Sequence, residues 1–298
     1  MVIPISAHII NAFVHQGKGG NPAAVIEHNG LLTQAHMQAI ALYLGLSETA
    51  FVCDIKAKQY RVRFFTPTQE VDFCGHATLA VGHYLVSSGR VSSGNYTQLT
   101  KAGNFAVSIV KNAEVMMKQR SAKFAQTYTA DTIATLFENT GEGSFVTSGV
   151  IQVVDTGLPD LLVPIKSGML SHLKANEVAM AVFCDTHSLA SIHVFELNTH
   201  DSPYYANTRN FSPHWGIPEE CATGSASGAL IAYLNRYEQL LAHQHVVFLQ
   251  GLEMGRPSLI KAHLSKTNDS LCPVIGGTAQ HITTTLLNVE QQSAKVVE

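Results

Sequence analysis

A thiol and an imidazole flank a glycine in Cys74-Gly75-His76, directly before a stretch rich in small residues. We expect a strand-to-helix junction here, where the first backbone N–H groups of the helix point outward and can bind a carboxylate. A cysteine at such a junction can have a lowered pKa and act as a thiolate base. The alternative, a buried thiol beside a hydrogen-bonded histidine, stays open on these residues alone.

A second cluster repeats this combination and adds carboxylates. It runs Glu219-Glu220-Cys221-Ala222-Thr223-Gly224-Ser225, and either Thr223 or Ser225 is suited to cap the helix that follows. Two facing helix starts, each with an acid or base, would form a carboxylate trap between two domains. Acidic residues before a helix are also favoured by its dipole alone, so a purely structural role of the two glutamates stays open.

A third candidate is Glu48, which follows a glycine stop and precedes an apolar run. A carboxylate at the start of a buried strand can have a raised pKa and shuttle a proton near neutral pH. The structural alternative is a solvated glutamate in a turn.

Two similar helices are predicted to position the cysteine-containing clusters, over Gly75–Ser87 and Thr223–Tyr237. Aligning Gly75 with Gly224 also matches Ala77 with Ala226, Ala80 with Ala229, Tyr84 with Tyr233 and Leu85 with Leu234. Small residues on all faces predict helices enclosed by other structure. The match predicts a duplicated unit, although chance similarity between two Ala/Gly-rich helices would look the same.

Short β-branched or alternating runs dominate the rest of the chain and predict strands. Thr33 and Gly45 predict the start and stop of a helix over Gln34–Leu44, and Thr129–Phe137 is a weaker candidate. Many strands without strict βαβ alternation indicate a mixed α+β architecture. Examples of the predicted strands are Ala7–Phe13, Ala23–Glu27, Thr49–Ile55, Tyr60–Phe65, Phe105–Val110, Val150–Asp155, Leu161–Ile165, Ile192–Leu197, Val246–Leu249 and Leu259–His263.

The composition narrows the function class. With 298 residues, 46% hydrophobic and 14% charged, the chain predicts two domains with ample core. A net charge of −3 and scattered Lys and Arg disfavour nucleic-acid binding, and no apolar run is long enough for a membrane helix. The five cysteines form no CxxC pair, which favours reduced thiols in a cytoplasmic protein.

No motif indicates a metal or a nucleotide cofactor, and we expect neither. The 15 histidines include no HExxH pair, and the glycines include no GxGxxG fingerprint. The run Gly17-Lys18-Gly19-Gly20-Asn21 lacks the spacing of a phosphate-binding loop.

Several motifs, taken together and in order, resemble the PhzF-like phenazine-biosynthesis family. They are Asn11-Ala12-Phe13, Gly20-Asn21-Pro22-Ala23-Ala24-Val25, Ser47-Glu48-Thr49-Ala50-Phe51, Arg63-Phe64-Phe65-Thr66-Pro67, Cys74-Gly75-His76-Ala77-Thr78, Arg209-Asn210-Phe211-Ser212-Pro213 and Thr223-Gly224-Ser225-Ala226. The section from about residue 112 to 205 matches only loosely.

The resemblance implies a diaminopimelate-epimerase-like fold, with two pseudo-symmetric domains that are each a β-barrel-like sheet wrapped round a central helix, and a site in the cleft between them. The expected domains are residues 1–118, possibly completed by a C-terminal strand over 280–298, and residues 119–279. The resemblance also implies a homodimer that needs no cofactor. The matching acid/base is Glu48, supported by His76, Ser225 and Glu220.

Two departures from the family pattern leave the mechanism open. Glu220 stands where the family usually has Asp, and Cys221 stands where a thiol is uncommon. With Cys74 it resembles the cysteine pair of diaminopimelate epimerases and proline racemases.

Three functional hypotheses follow. The first is a cofactor-independent isomerase that moves a proton next to the carboxylate of a small amino- or hydroxy-carboxylic acid. Glu48 would be its acid/base, His76 and Glu220 would orient the substrate or relay protons, and Asn21, Gly75, Thr223, Gly224 and Ser225 would bind it. The second is a two-base racemase or epimerase that uses Cys74 and Cys221. The third is a binding protein for small acids without turnover.

Overall fold

The computed structural model describes residues 2–110, 113–138, 149–267 and 270–297. These residues form a mixed α+β protein in which strands dominate, as predicted. The chain divides into two compact units, the first comprising Met1–Met117 with Gly276–Glu298 and the second Lys118–Ile275. Each is described by itself below.

In chain order, the elements up to residue 118 are β1 (Val2–Ala12), β2 (Asn21–Glu27), α1 (Gln34–Leu44), β3 (Glu48–Lys56), β4 (Gln59–Phe65), β5 (Glu70–Val71), α2 (Gly75–Ser87), β6 (Gly94–Thr100), β7 (Gly103–Ile109) and β8 (Val115–Lys118). Then follow β9 (Lys123–Tyr128), α3 (Ala130–Ala134), β10 (Phe137–Glu138), β11 (Ile151–Asp155), β12 (Pro159–Ile165), β13 (Lys174–Ala175), α4 (Glu177–His187), β14 (Ser191–Leu197), β15 (Ala206–Ser212), β16 (Ile217–Glu220), α5 (Gly224–Tyr237), β17 (Val246–Gln250), β18 (Ser258–Thr267) and β19 (Ser270–Gly277). The last are β20 (Ala279–Glu290) and β21 (Val296–Val297).

In the first unit, the strands surround α2 on several sides. β1 pairs antiparallel with β2 and with β20, β2 pairs parallel with β3, and β3 pairs antiparallel with β4. The helix α2 packs against β1, β2, β3, β7 and β20. Its small residues permit this close approach, since a Cβ on Gly82 would lie 2.8 Å from a methyl group of Val115.

The helix α1 begins and ends at the predicted residues. Thr33 accepts a hydrogen bond from the N–H of His36, whose side chain in turn accepts one from the N–H of Thr33. Gly45 closes the helix in the left-handed conformation, with φ of 62°. The next strand then starts at Glu48, so this stop sets where the Glu48 side chain lies.

In the second unit, β15 pairs with three strands, one of which, β16, directly precedes α5 in the chain. It pairs antiparallel with β14 and β16 and parallel with β17. The helix α5 packs against β11, β12 and β18, and ten of its residues are buried. The second cluster therefore spans the end of β16, at Glu219 and Glu220, the short connection over residues 221–223, and the start of α5 at Gly224.

The observed elements differ from the sequence predictions in several places. The helix α4, capped by Asn176, was not predicted, because its apolar residues do not follow one face and Val178 and Val182 are exposed. The helical turn α3 ends at Ala134, and a strand rather than a helix begins at Phe137. The strand β15 was also missed, because its polar residues Asn207, Thr208 and Arg209 hide the strand pattern.

Candidate active site

The first unit brings Glu48 and His76 together. Glu48 is the first residue of β3, where it pairs with Ala23 of the parallel strand β2. His76 lies in the first turn of α2, which packs against both strands. The Glu48 carboxylate Oε2 lies 3.0 Å from His76 Nε2, and the two side chains are only 14% and 4% exposed. The contact is therefore a largely desolvated ion pair.

Two further side chains fix the His76 ring. Ser47 Oγ lies 3.4 Å from Nε2, on the side of Glu48. The Asn21 amide lies 3.3 Å from Nδ1, and Asn21 is the first residue of β2. Both ring nitrogens thus have polar neighbours, which fixes the direction in which the ring faces Glu48.

The charges of Glu48 and His76 stabilise each other. Burial by itself raises the pKa of Glu48, but the charge of His76 and hydrogen bonds from His76, Ser47 and Cys74 outweigh it and lower the pKa below 4.5. Burial likewise lowers the pKa of His76, whereas its interactions with Cys74 and Glu48 raise it well above 6.5. The predicted raised pKa of Glu48 is therefore wrong, because a buried imidazolium lies beside it.

Cys74 is part of the same cluster but is a poor base. Its Sγ lies 3.5 Å from His76 Nδ1, and the residue is the N-cap of α2. Burial and then the negative charge of Glu48 raise the pKa of the thiol to about 11, although His76 partly opposes them. The predicted lowered pKa is therefore wrong, since Cys74 stays protonated at neutral pH.

The side chains of Glu48, Cys74 and His76 lie close enough together to be considered as metal ligands. Among the described residues, Glu48, Cys74 and His76 form the single group of this kind, with one donor atom each within 4.8 Å of the others. In the structure their charges and hydrogen bonds are directed at one another. The expectation that the protein uses no metal remains a prediction.

In the second unit, Thr223 and Glu220 form the corresponding polar contact. Thr223 is the N-cap of α5 by its backbone, but its side chain does not cap the helix as predicted. Instead its hydroxyl donates to Glu220 Oε2 at 2.6 Å. The predicted alternative cap, Ser225, lies within the first turn of α5. Gly75 and Gly224 are the first helical residues after their respective N-caps.

The carboxylate of Glu219 has a different hydrogen-bond partner from that of Glu220. Its two carboxylate oxygens accept from Arg209 Nε and Nη2, each at 2.8 Å. This pair ties β16 to β15. The carboxylate of Glu219 is therefore engaged by an arginine, whereas that of Glu220 accepts from Thr223.

The comparison with known proteins decides the family. Residues 10–284 match the model of the phenazine biosynthesis-like protein family, PhzC-PhzF. The chain belongs to this family.

Relatives of this PhzF family extend over almost the whole chain. An uncharacterized isomerase of Clostridium acetobutylicum is 30% identical, with 89% of this chain and 91% of the relative covered. The trans-2,3-dihydro-3-hydroxyanthranilate isomerase of Pseudomonas chlororaphis is 28% identical, with 89% and 92% covered. The crystal structure of a PhzF-family protein of Bacillus anthracis superposes with a TM-score of 0.84 at 28% identity, covering 95% and 99%. The predicted enzyme class, an isomerase, is confirmed at this level.

Cys221 differs from Cys74 in its place relative to the helix. Cys74 is the N-cap of α2, whereas the N-cap of α5 is Thr223, two residues after Cys221. Cys221 is 3% exposed. Its Cβ would lie 3.0 Å from a Cβ placed on Gly251. The two cysteines therefore differ in their distance from the first helical residue, by two positions along the chain.

Two site residues were not identified from the sequence of this PhzF-family chain. Ser47 was overlooked as a partner of His76, although its place beside Glu48 was a usable signal. Gln250, a fully buried residue at the end of β17, contacts both Glu220 and Thr223. No motif or spacing pointed to it.

No helix among the described residues is both long and apolar enough to cross a bilayer.

Proposed function

We propose that this chain is an isomerase that moves a proton next to the carboxylate of a small amino- or hydroxy-carboxylic acid, with Glu48 as the acid/base. The observation that carries this proposal is the buried ion pair between Glu48 and His76, at 3.0 Å. Family membership supports the reaction class, and the relative from Pseudomonas chlororaphis suggests a cyclic amino acid as a first substrate to test.

The proposed step is a proton relocation within the substrate. The lowered pKa keeps Glu48 ionised at neutral pH, so that it can accept a proton from a substrate carbon. The electron pair of the broken C–H bond moves into the conjugated system of the substrate. Glu48 then returns the proton to a different carbon, and a new C–H bond forms as the double bond shifts. No electron is gained or lost overall.

The neighbours of Glu48 have supporting roles in this proposal. His76 holds the carboxylate in place and stabilises its charge before proton transfer. Backbone N–H groups at Gly75 and His76 would hold the substrate carboxylate, since helix starts favour anions. Asn21, whose amide lies 3.3 Å from His76 Nδ1, would contact a polar substituent of the substrate.

The two-thiol racemase is the rival reaction. It needs one cysteine as a thiolate, but the pKa of Cys74 is raised to about 11. This observation favours the carboxylate route, and mutation separates the two reactions.

The decisive experiment follows deuterium exchange from heavy water into trans-2,3-dihydro-3-hydroxyanthranilate and into a panel of amino and hydroxy acids. Glu48→Gln should lose at least ~10²-fold in rate, the usual contribution of a general acid/base. Cys74→Ser and Cys221→Ser should keep most of it. Glu70→Gln, which alters a carboxylate paired with Arg63 in the same unit, is the matched control.

Three other outcomes would overturn the proposal. Exchange that survives Glu48→Gln but is lost in either cysteine variant assigns the reaction to the thiols. Exchange that survives all three variants leaves Glu48 without its role. Tight binding of a panel acid with no exchange at all identifies a binding protein without turnover.

A further inference from the structure

Gln250 bridges the segment that carries Glu220 to the start of α5. It is the last residue of β17 and has no exposed surface. Its Nε2 donates to the backbone carbonyl of Glu220 at 2.6 Å, and its Oε1 accepts from the backbone N–H of Thr223 at 3.1 Å. Because one partner is a carbonyl and the other an N–H group, the orientation of the amide is fixed.

This orientation determines the direction of the next hydrogen bonds. The amide Nε2 also donates to Thr223 Oγ1, at 3.1 Å. A hydroxyl has a single proton, and this one lies on the 2.6 Å contact with Glu220 Oε2. The amide therefore supplies the hydroxyl oxygen with a donor, and the hydroxyl proton points to the carboxylate.

We propose that Gln250 is a positioning residue that orients the Thr223 hydroxyl toward the Glu220 carboxylate. A hydrogen bond to the ionised form of a carboxylate stabilises that form and fixes where its oxygens lie. Without the amide, the hydroxyl can rotate away and donate elsewhere. For catalysis, the inference rests on the proposed function and on the supporting role that the family resemblance implies for Glu220.

The first unit supplies a useful contrast. Gln98 is also fully buried, and its Nε2 donates to Thr78 Oγ1 at 2.8 Å. That hydroxyl donates to the backbone carbonyl of Cys74, also at 2.8 Å, and not to a carboxylate. A buried glutamine thus supports each helix start, but the chain of donors from Gln250 ends on an ionisable group.

The test measures the titration of the Glu220 carboxyl by ¹³C NMR, with Glu220→Gln to assign its resonance. Gln250→Met should move the titration midpoint to higher pH, and Thr223→Val should move it in the same direction. The double variant should move it no further than either single variant, because both remove the same hydrogen bond. Thr223→Ser, which keeps the hydroxyl, should behave like the unaltered protein.

The matched control is Gln152→Met. Gln152 is buried in the same unit, donates to Ala125 and accepts from Tyr237, so its loss should leave the Glu220 titration unchanged. With trans-2,3-dihydro-3-hydroxyanthranilate as substrate, Gln250→Met should lower kcat/KM by roughly ten- to a hundredfold, the size expected for a lost bond to a charged group.

The proposal is overturned if folded Gln250→Met leaves the titration midpoint unchanged, or if the two single shifts add in the double variant. Should Gln250→Met fail to fold, an unchanged midpoint in Thr223→Val overturns it equally. A failure of Glu48 as the acid/base would appear in the exchange experiment and would leave these titrations unaffected. The two failures can therefore be told apart.

Discussion

Arg209 and Glu219 form a doubly hydrogen-bonded ion pair that fixes the strand ending at Glu220. Arg209 also donates from Nη1 to the backbone carbonyls of Leu170 and Leu173, at 3.2 and 2.7 Å, and its guanidinium lies 5.0 Å above the ring of Phe211. The Arg209 side chain is only 9% exposed. The segment leading to α5 is therefore held by a buried charge with several partners.

Arg209→Met should destabilise the protein by about 3–5 kcal/mol, because it leaves the Glu219 carboxylate buried without its cation. Urea unfolding measures this free energy. Arg61→Met is the control, since Arg61 and Asp54 are 51% and 59% exposed and such a pair contributes about 0–1 kcal/mol. Equal losses in the two variants would contradict this prediction.

The acid limb of the pH profile should report the ionisation of Glu48, whose pKa is held low by the charge of His76. Glu48 must be ionised, and its lowered pKa places the acid limb of kcat/KM below pH 4.5. His76 is protonated up to a pH well above 6.5, so its titration should contribute no loss near 6.5. His76→Gln removes the positive charge and should move the acid limb to higher pH, because burial then dominates the pKa of Glu48. An acid limb that stays in place in His76→Gln would contradict this.

A buried acid in the second unit should make stability depend on pH. Asp160 has no exposed surface, and its Oδ1 forms a 2.5 Å hydrogen bond with Ser191, whose hydroxyl also contacts Asn210 Oδ1 at 2.8 Å. One hydroxyl proton cannot serve both contacts, so a proton on Asp160 completes the chain. Burial, and to a lesser degree the charges of Asp155 and Glu220, raise the pKa of Asp160 to about 8.

The direction of this pH dependence follows from the number of protons bound in the folded and unfolded states. The folded state keeps a proton that the unfolded chain releases above about pH 4, so the contribution of Asp160 to stability falls as pH rises from about 4 to about 8. Asp160→Asn should remove this slope while it retains a donor for Ser191. The measurement compares free energies of unfolding at about pH 5 and about pH 8 for both proteins. Parallel pH dependences would show that Asp160 is ionised throughout.

Gly251 should be intolerant of any side chain. Its φ is +79°, and a Cβ would lie 2.5 Å from the carbonyl oxygen of Arg256 and 2.8 Å from that of Cys221. Gly30 has the same φ with nothing within 4 Å, so Gly30→Ala should cost only the backbone strain, about 1 kcal/mol. Gly251→Ala should cost clearly more in thermal or urea unfolding, because two backbone segments must move. Equal losses would contradict the close approach.

Features that depend on local sequence were predictable. The limits of α1 and α2 follow from capping residues and small-residue patterns, and both helices end where expected. The contact between Glu48 and His76 was not derivable in this way, since it requires the pairing of β2 with β3 and the packing of α2 on both. The resemblance to a known family assigned both residues to one site but not to a direct contact.

The directions of the pKa shifts illustrate a second limit. Burial of Glu48 and a helix start at Cys74 were reasonable expectations, yet the sign depends on which neighbour carries charge. His76 reverses the effect of burial on Glu48, and ionised Glu48 adds to the effect of burial on Cys74. Gln250 shows the same limit, because a lone glutamine in an apolar strand carries no signal until its partners in space are known.

The pairing of β1 with β20 has a consequence for biosynthesis. β1 leaves the ribosome before the second unit is made, and its partner β20 leaves only after it, as in the pairing of Ser6 with Leu286. The second unit is continuous in sequence and is complete before β20 has been made. During translation, the edge of β1 that pairs with β20 therefore stays unpaired until the second unit has been made. The unit that carries Glu48 and His76 is thus the later of the two to complete its fold.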